Sequence, residues 1–233
     1  MELSIITVTW NSEKKIIEQM RSVVGACKNV GNVSAIGGPA FGWEYEQIVV
    51  DNNSSDATVA LIKKNFPNVK LIENRENAGF GAANNQGVKI SQGESILFLN
   101  PDTRLTSGSL FKMLSWMREK KYVGIASCKL VDAEGKFNWE AGPRRFPLVW
   151  EQVVTLLKLP HLFPNIINKY SANFDYLKPG AQEVDSVRGS FFCIRREVLQ
   201  KLSGLDERYF FWFEEVDYCR QAKSAGFKVF YNG

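Results

Sequence analysis

Short runs of β-branched and aliphatic residues alternate with stretches whose apolar side chains recur every three or four residues. This alternation restricts the first half of the chain to a layered α/β fold. Residues 3–9 (LSIITVT) read as a strand, and Asn11 and Ser12 offer a cap for a helix carrying Ile16, Met20, Val23 and Val24 at helical spacing. A strand over 47–50 follows, then Ser54, Ser55 and Asp56 as a cap for a helix with Val59, Ile62 and Phe66, then a strand over 69–72. A helix over 82–90, a strand over 95–99, a helix with Leu110, Met113, Leu114 and Met117 on one face, and a strand over 123–128 continue the rhythm. Elements in this order imply a largely parallel sheet covered by helices on both sides.

The rhythm changes after residue 128. Asp132 to Gly135 read as a turn, 144–164 is rich in proline, basic and apolar residues, and the rest suggests a mixed-sheet region. It holds a strand over 187–194, a helix from about Arg196 stopped by Gly204, a helix over 214–225 and a strand over 228–231. Asn29 to Glu46, glycine-rich, is long for an αβ connection and reads as an insertion loop.

The 233 residues, 45% of them hydrophobic, suffice for one full core. A net charge of +4 carries no nucleic-acid footprint. Cys27, Cys128, Cys193 and Cys219 are scattered without a C-x-x-C pair, which argues for reduced, mostly buried thiols and against a zinc or redox site. The start (MELSIITVTW) lacks the basic flank of a secretory signal, and no apolar run reaches the roughly 18 residues that span a bilayer, so a cytoplasmic protein is expected. Leu148 to Leu159 is apolar and could rest on a membrane interface, although core packing or a dimer contact explains it equally well. His161, between prolines, reads as structural.

In open parallel sheets, ligands gather at the carboxyl ends of the strands. After the second strand come Asp51, Asn52, Asn53, Ser54, Ser55 and Asp56. Asp51 stands too early to cap the helix and can accept from a nucleobase N–H or ribose hydroxyls. After the fourth strand, Asn100 and Asp102 offer hard oxygen ligands suited to Mg²⁺ or Mn²⁺ bridging to diphosphate oxygens. Gly79-x-Gly81 opens a helix after a strand. It would let backbone approach a phosphate or ribose, with Asn77 and Asn84 holding the loop. Tyr209 to Phe213 place aromatic rings beside Glu214, Glu215 and Asp217, a stacking floor for a sugar next to carboxylates able to take a proton from a hydroxyl.

In order and spacing, IITVTWNS, VVDNNSSD, ENRENAGFGAANNQG, LFLNPDT, RGSFFCIRREV and GLDERYFFWFEEVDYCRQAKSAG resemble glycosyltransferase family 2, the inverting GT-A enzymes, and within it the rhamnosyltransferase-like branch of cell-surface polysaccharide synthesis. The resemblance implies a three-layer αβα sandwich with a mostly parallel mixed sheet, 1–128 as the nucleotide-sugar half and 129–233 as the acceptor half. Because relatives continue past the equivalent of Gly233, it also implies a C-terminally truncated chain. It assigns the donor to Thr9, Trp10, Asn11, Asp51, Asn53, Asn77, Gly79, Phe80, Asn84, Asn100 and Asp102, with Asp102 as the acid that binds Mg²⁺ or Mn²⁺. It assigns the acceptor to Arg188, Gly189, Trp212 and Glu214, and the base to Glu215, with Asp217 as the alternative. Asn100 departs from the usual first acid of the D-x-D motif, and Glu215 stands where an Asp is usual. Arg144 and Arg145, like Arg188, are candidates for diphosphate or acceptor contacts, with solvated surface charge as the simpler account of each.

The expected reaction is a single displacement with inversion, from a nucleotide-diphosphate sugar such as dTDP-rhamnose to a saccharide or lipid-linked acceptor, at or near the inner face of the membrane. No nucleic-acid partner is expected, and oligomeric state is not readable. A nucleotidylyltransferase would need a glycine-rich basic loop after the first strand, which TVTWNS does not provide. A non-catalytic nucleotide-sugar-binding protein derived from such enzymes is the alternative, supported by Asn100 and Glu215.

Overall fold

The structure is a computed structural model that describes residues 1–28, 44–146, 148, 149, 153, 156, 157 and 179–233. The elements are β1 (Leu3–Thr9), α1 (Ile16–Lys28), β2 (Tyr45–Asp51), α2 (Thr58–Asn65), β3 (Lys70–Glu73), α3 (Phe80–Ile90), β4 (Ser95–Leu99), α4 (Ser109–Glu119), β5 (Val123–Cys128), β6 (Ala181–Glu183), β7 (Phe191–Arg195), α5 (Arg196–Leu202), α6 (Glu214–Ser224) and β8 (Lys228–Asn232). The strands form one eight-stranded sheet in the order β3-β2-β1-β4-β7-β5-β8-β6.

The β3-β2-β1-β4 block is parallel, β7 runs antiparallel between β4 and β5, and β6 is an antiparallel edge on β8. Two apolar cores lie on opposite faces of this sheet, as the two-residue strand period requires. Ile6, Val8, Ile96 and Phe98 face Ala83 of α3, Val198 and Leu199 of α5, and Tyr218 and Ala222 of α6. Leu3, Ile5, Leu97 and Leu99 face Val23 and Ala26 of α1 and Leu110, Met113, Leu114 and Met117 of α4. Ile16 and Met20 of α1 also pack with Val49 and Ile62, the latter on α2. This is the expected three-layer αβα sandwich with a mixed sheet. Because β1 is buried along its whole length, it reads as a continuous apolar run. Truncating Phe98, 1% exposed in this core, would cost about 3–5 kcal/mol.

Three boundaries differ from expectation. Tyr45 and Glu46 belong to β2 rather than to an insertion. Glu46 is buried and accepts from Ser4 Oγ at 2.6 Å, Gln92 N at 2.6 Å and Lys70 Nζ at 2.6 Å. The strand expected over 187–194 begins only at Phe191, because Gly189 and Ser190 form a turn that brings the chain into β7. The caps expected from Asn11-Ser12 and Ser54-Ser55 are absent, because those side chains and amides are engaged between loops. Residues 29–43, most of 148–159, and His161 lie outside the described residues.

The strand order sets where a ligand can bind. The path runs outward from β1 to β3 and then returns to β4 on the other side of β1, a reversal that opens a crevice at the carboxyl ends of these strands. Since β7 is antiparallel to β4, with Phe191 opposite Leu99, the segment preceding β7 reaches that same edge.

Candidate functional site

Strands β1 and β2 end in register, Thr9 opposite Asp51. The Asp51 carboxylate, 2% exposed, accepts from Thr9 Oγ1 at 2.9 Å, Ser54 N at 2.8 Å and Ser54 Oγ at 2.6 Å. An ionised carboxylate offers about four acceptor positions, so these bonds fix its orientation and leave room for one more donor. Asn11 and Asn53 take left-handed backbone, φ 49° and 63°, a conformation asparagine tolerates better than most residues. Asn11 N donates to Ser54 Oγ at 2.8 Å, and Asn11 Oδ1 accepts from Ser55 N at 2.9 Å. Ser54 and Ser55 therefore tie the β1 and β2 loops together, and Asp56 alone serves the start of α2, accepting from Thr58 N at 3.0 Å. Between these ties Trp10 leaves its side chain 59% exposed at the rim.

The start of α3 is fastened next to this corner. Asn52 Nδ2 donates to Gly79 O at 3.1 Å, and Asn74 Nδ2 donates to Asn52 Oδ1 at 2.8 Å. Asn77 Oδ1 accepts from Gly79 N at 3.0 Å and holds the loop, whereas Asn84, inside α3, donates one turn back to Phe80 O at 3.0 Å. Gly79 has φ 85°, and a Cβ there would lie 2.5 Å from Phe210 O, which accepts from Phe80 N at 2.9 Å. The close approach expected for a phosphate is thus made by the chain's own carbonyl, and the amides of Gly79 and Phe80 already have partners. Asn85, which carries no local signal in the sequence, donates to Leu205 O at 2.8 Å and accepts from Leu205 N at 2.9 Å. It fastens α3 to the aromatic loop.

On the other side of β1, Asn100 N donates to Ser190 O at 3.2 Å, and Asn100 Nδ2 lies 3.4 Å from Ser190 Oγ. Asp102 is half exposed, with Lys15 Nζ at 3.4 Å. Gly189 sits against the Phe80 ring, whose Cζ would be 3.3 Å from a Cβ at that position. Arg188 Nη1 donates to Glu215 Oε1 at 3.1 Å, and its guanidinium lies 5.7 Å from the centre of the Trp212 ring. Contacts therefore run unbroken along one sheet edge, from Asp51 through Asn52, Gly79, Phe80, Gly189 and Ser190 to Asn100, with Arg188 and Glu215 joining at Gly189. Arg144 lies on the bridge to Ser186 instead.

The carboxylates at the start of α6 differ in their surroundings. Glu214 and Glu215 are 3% and 6% exposed, and Oε2 of each has no hydrogen-bond partner among the described residues. Burial, and then the charge of Glu215, push the Glu214 carboxyl up to about 7, against the pull of backbone amides and Arg188. Asp217 is bound by Gln221 Nε2 at 2.6 Å. Trp212 and Phe213 both take left-handed backbone, φ 77° and 74°, immediately before Glu214. For bulky residues this is strained, and such strain gathers at functional sites. Phe210 to Phe213 are all more than half exposed. Burial pushes all four cysteine thiols up to about 12, which suits inert packing and not nucleophilic chemistry.

Among the described residues no three His, Cys, Asp or Glu side chains cluster as a metal cage. The donor set at Asp102 is one exposed carboxylate beside an amide. That fits a hard cation sharing most of its ligands with phosphate oxygens and water, as Mg²⁺ commonly does. Among the described residues no helix is long and apolar enough to cross a membrane.

The family model described as Glycosyl transferase family 2 matches residues 4–203. Rhamnosyltransferase WbbL of Escherichia coli (strain K12) is 26% identical over 195 residues, 81% of this chain and 70% of that protein. N-acetylglucosaminyl-diphospho-decaprenol L-rhamnosyltransferase of Mycobacterium tuberculosis (strain CDC 1551 / Oshkosh) is 25% identical over 197 residues, 79% of this chain and 62% of that protein. The mannosyltransferase PcManGT from Pyrobaculum calidifontis, solved in complex with GDP-Man and Mn²⁺, superposes with a TM-score of 0.63 at 17% identity, over 98% of this chain and 53% of that one. The last likeness speaks to fold alone and agrees with the GT-A type of sandwich. The chain spans only part of each relative's length.

Proposed function

Since the chain belongs to glycosyl transferase family 2, we propose that it carries the transfer site of an inverting glycosyltransferase, moving a sugar from a nucleoside-diphosphate donor to a hydroxyl of a saccharide or lipid-linked acceptor in cell-surface glycan synthesis. The single observation that carries this reading is the unbroken run of hydrogen-bonded and packed contacts that joins Asp51, the Asn100–Asp102 turn and the Arg188–Glu215 pair. In this reading Asp51 accepts the N–H of the base, Trp10 flanks the nucleoside, and Asp102 faces the diphosphate. Phe210 to Phe213 and Gly189 border the acceptor. Rhamnose is the favoured sugar on the strength of the two rhamnosyltransferase relatives. The acceptor side is expected to work at the cytoplasmic face of the membrane.

Glu215 is the better base of the two considered, because it is buried in the first turn of α6 against Arg188, whereas Asp217 lies further along the helix, partly exposed and bound by Gln221. The acceptor hydroxyl gives its proton to the Glu215 carboxylate as its oxygen bonds to the anomeric carbon. The bond from that carbon to the diphosphate breaks on the opposite face, and its electrons leave with the nucleoside diphosphate. Asp102 is the residue that would hold Mg²⁺ or Mn²⁺, and such an ion supplies charge neutralisation at the departing diphosphate.

The test is release of nucleoside diphosphate from dTDP-rhamnose, then UDP-sugars, with and without saccharide and lipid-linked acceptors. Release that depends on acceptor and on Mn²⁺, and that Asp102→Ala abolishes, is the expected result. Metal-dependent release undiminished in Asp102→Ala would overturn the assignment. Donor binding with no acceptor-dependent release would favour a binding protein instead.

A further inference from the structure

The pair at the acceptor side has a feature the proposed reaction does not by itself require. Two adjacent carboxylates, Glu214 and Glu215, are buried together at the start of α6, and one guanidinium serves them. Arg188, 19% exposed, meets Glu215 through a single oxygen at 3.1 Å. Arginine meeting a carboxylate purely for cohesion favours the two-pronged arrangement, with both oxygens bound. Here Oε2 of Glu215 and Oε2 of Glu214 are both buried and without partners among the described residues, a cost the fold also bears at Asn84 Oδ1 near the start of α3. Arg188 itself is fixed from two sides. Its backbone leads into Gly189, pressed on Phe80, and its guanidinium lies over Trp212, whose left-handed backbone sets the entry to α6.

We propose that Arg188 is a positioning residue for Glu215, gripping one carboxylate oxygen so that the other is held for an acceptor hydroxyl at the start of α6. This rests on the reading of Glu215 as the base, and it adds to the expectation that Arg188 contacts diphosphate or acceptor, since only one of its N–H groups is engaged by Glu215. Arg188, from the turn before β7, contacts Glu215 directly, whereas burial and the charge of Glu215 push the neighbouring Glu214 carboxyl up. The bonded oxygen fixes the Glu215 carboxylate, and its partnerless oxygen is the one left to take an acceptor proton.

The experiment records the side-chain carboxyl carbon resonance of Glu215 by NMR in the whole chain at fixed pH, without donor or acceptor, for wild type, Arg188→Gln and Arg188→Lys, and alongside it kcat and the KM for dTDP-rhamnose. In Arg188→Gln the Glu215 resonance is expected to move, kcat to fall about tenfold, the scale of one lost charge-assisted contact, and donor KM to stay within about twofold. Arg188→Lys keeps the charge and a donor and is expected to recover most of kcat. A Glu215 resonance that does not move in Arg188→Gln overturns the proposal, as does an unchanged kcat with a several-fold rise in donor KM. The resonance is read without turnover, so a moved resonance in a chain that transfers no sugar would sink the functional reading and leave the pairing intact.

Discussion

The two sides of the crevice are built in opposite ways. On the side proposed for the donor most polar groups are spoken for: Asp51 holds three donors, Asn11 and Asn52 each bridge loops, and the Gly79 and Phe80 amides are bonded, with Asn84 Oδ1 the exception among the described residues. On the acceptor side two buried carboxylate oxygens have no partner among the described residues, two aromatic residues take strained backbone, and the Phe210–Phe213 rings face outward. The first arrangement is preorganised, since a ligand would find its groups already oriented at little entropic cost. The second holds strain and an unmet hydrogen-bonding demand that an acceptor can relieve. Donor recognition should therefore survive damage to the proposed acceptor side, while catalysis should not.

The largest expected effect breaks that asymmetry where proton transfer takes place. Glu215→Gln should lower kcat about a hundredfold to ten-thousandfold, the range typical of general-base loss, with nucleoside diphosphate affinity unchanged in a titration of the same variant. Next is Gly79→Ala, which joins the two sides. The new methyl would sit 2.5 Å from Phe210 O in a backbone disfavoured for alanine, so chemical denaturation should show a loss of about 2–4 kcal/mol, with weaker donor binding. The smallest is a pH effect on stability. Glu214 titrates near 7 in the fold against an ordinary 4.5, so the fold binds its proton more tightly than the unfolded chain does. That stabilisation is complete below about pH 4.5 and is lost as pH rises through about 7. Glu214→Gln should flatten the melting temperature across that window. At pH 8 it should melt higher than wild type, on a scale of about 2–4 °C per kcal/mol for a chain of this size.

Much of the architecture was legible because burial leaves a periodic trace. Leu110, Met113, Leu114 and Met117 advertise one face of α4, and LSIITVT advertises a strand covered on both sides. What the chain did not disclose was partnership across long separations. Ser54 and Ser55 carry the composition of a helix cap, yet they bind Asp51 and Asn11, the latter a contact 44 residues away. Asn85 sits mid-helix with nothing local to mark it, and its partner Leu205 is 120 residues on. The two arginines of CIRRE look alike in sequence and to Arg188, but they are structural. Arg195 donates to Val123 O and to carbonyls of Met117 and Lys120 at the end of α4, and Arg196 donates to Gly93 O and Ser91 Oγ below α3. Glu214 and Glu215 were visible as acids at a helix start, whereas the choice between Glu215 and Asp217 needed the positions of Arg188 and Gln221.

The most direct test of a preorganised donor corner tied to a separate proton-accepting side is calorimetric titration of dTDP and UDP, with Mn²⁺, into wild type, Asp51→Ala and Glu215→Gln. Asp51→Ala is expected to lose at least about 2 kcal/mol of binding free energy, the scale of a buried charged hydrogen bond, and Glu215→Gln to bind as wild type does. Undiminished binding by Asp51→Ala, or an equal loss in both variants, would contradict it.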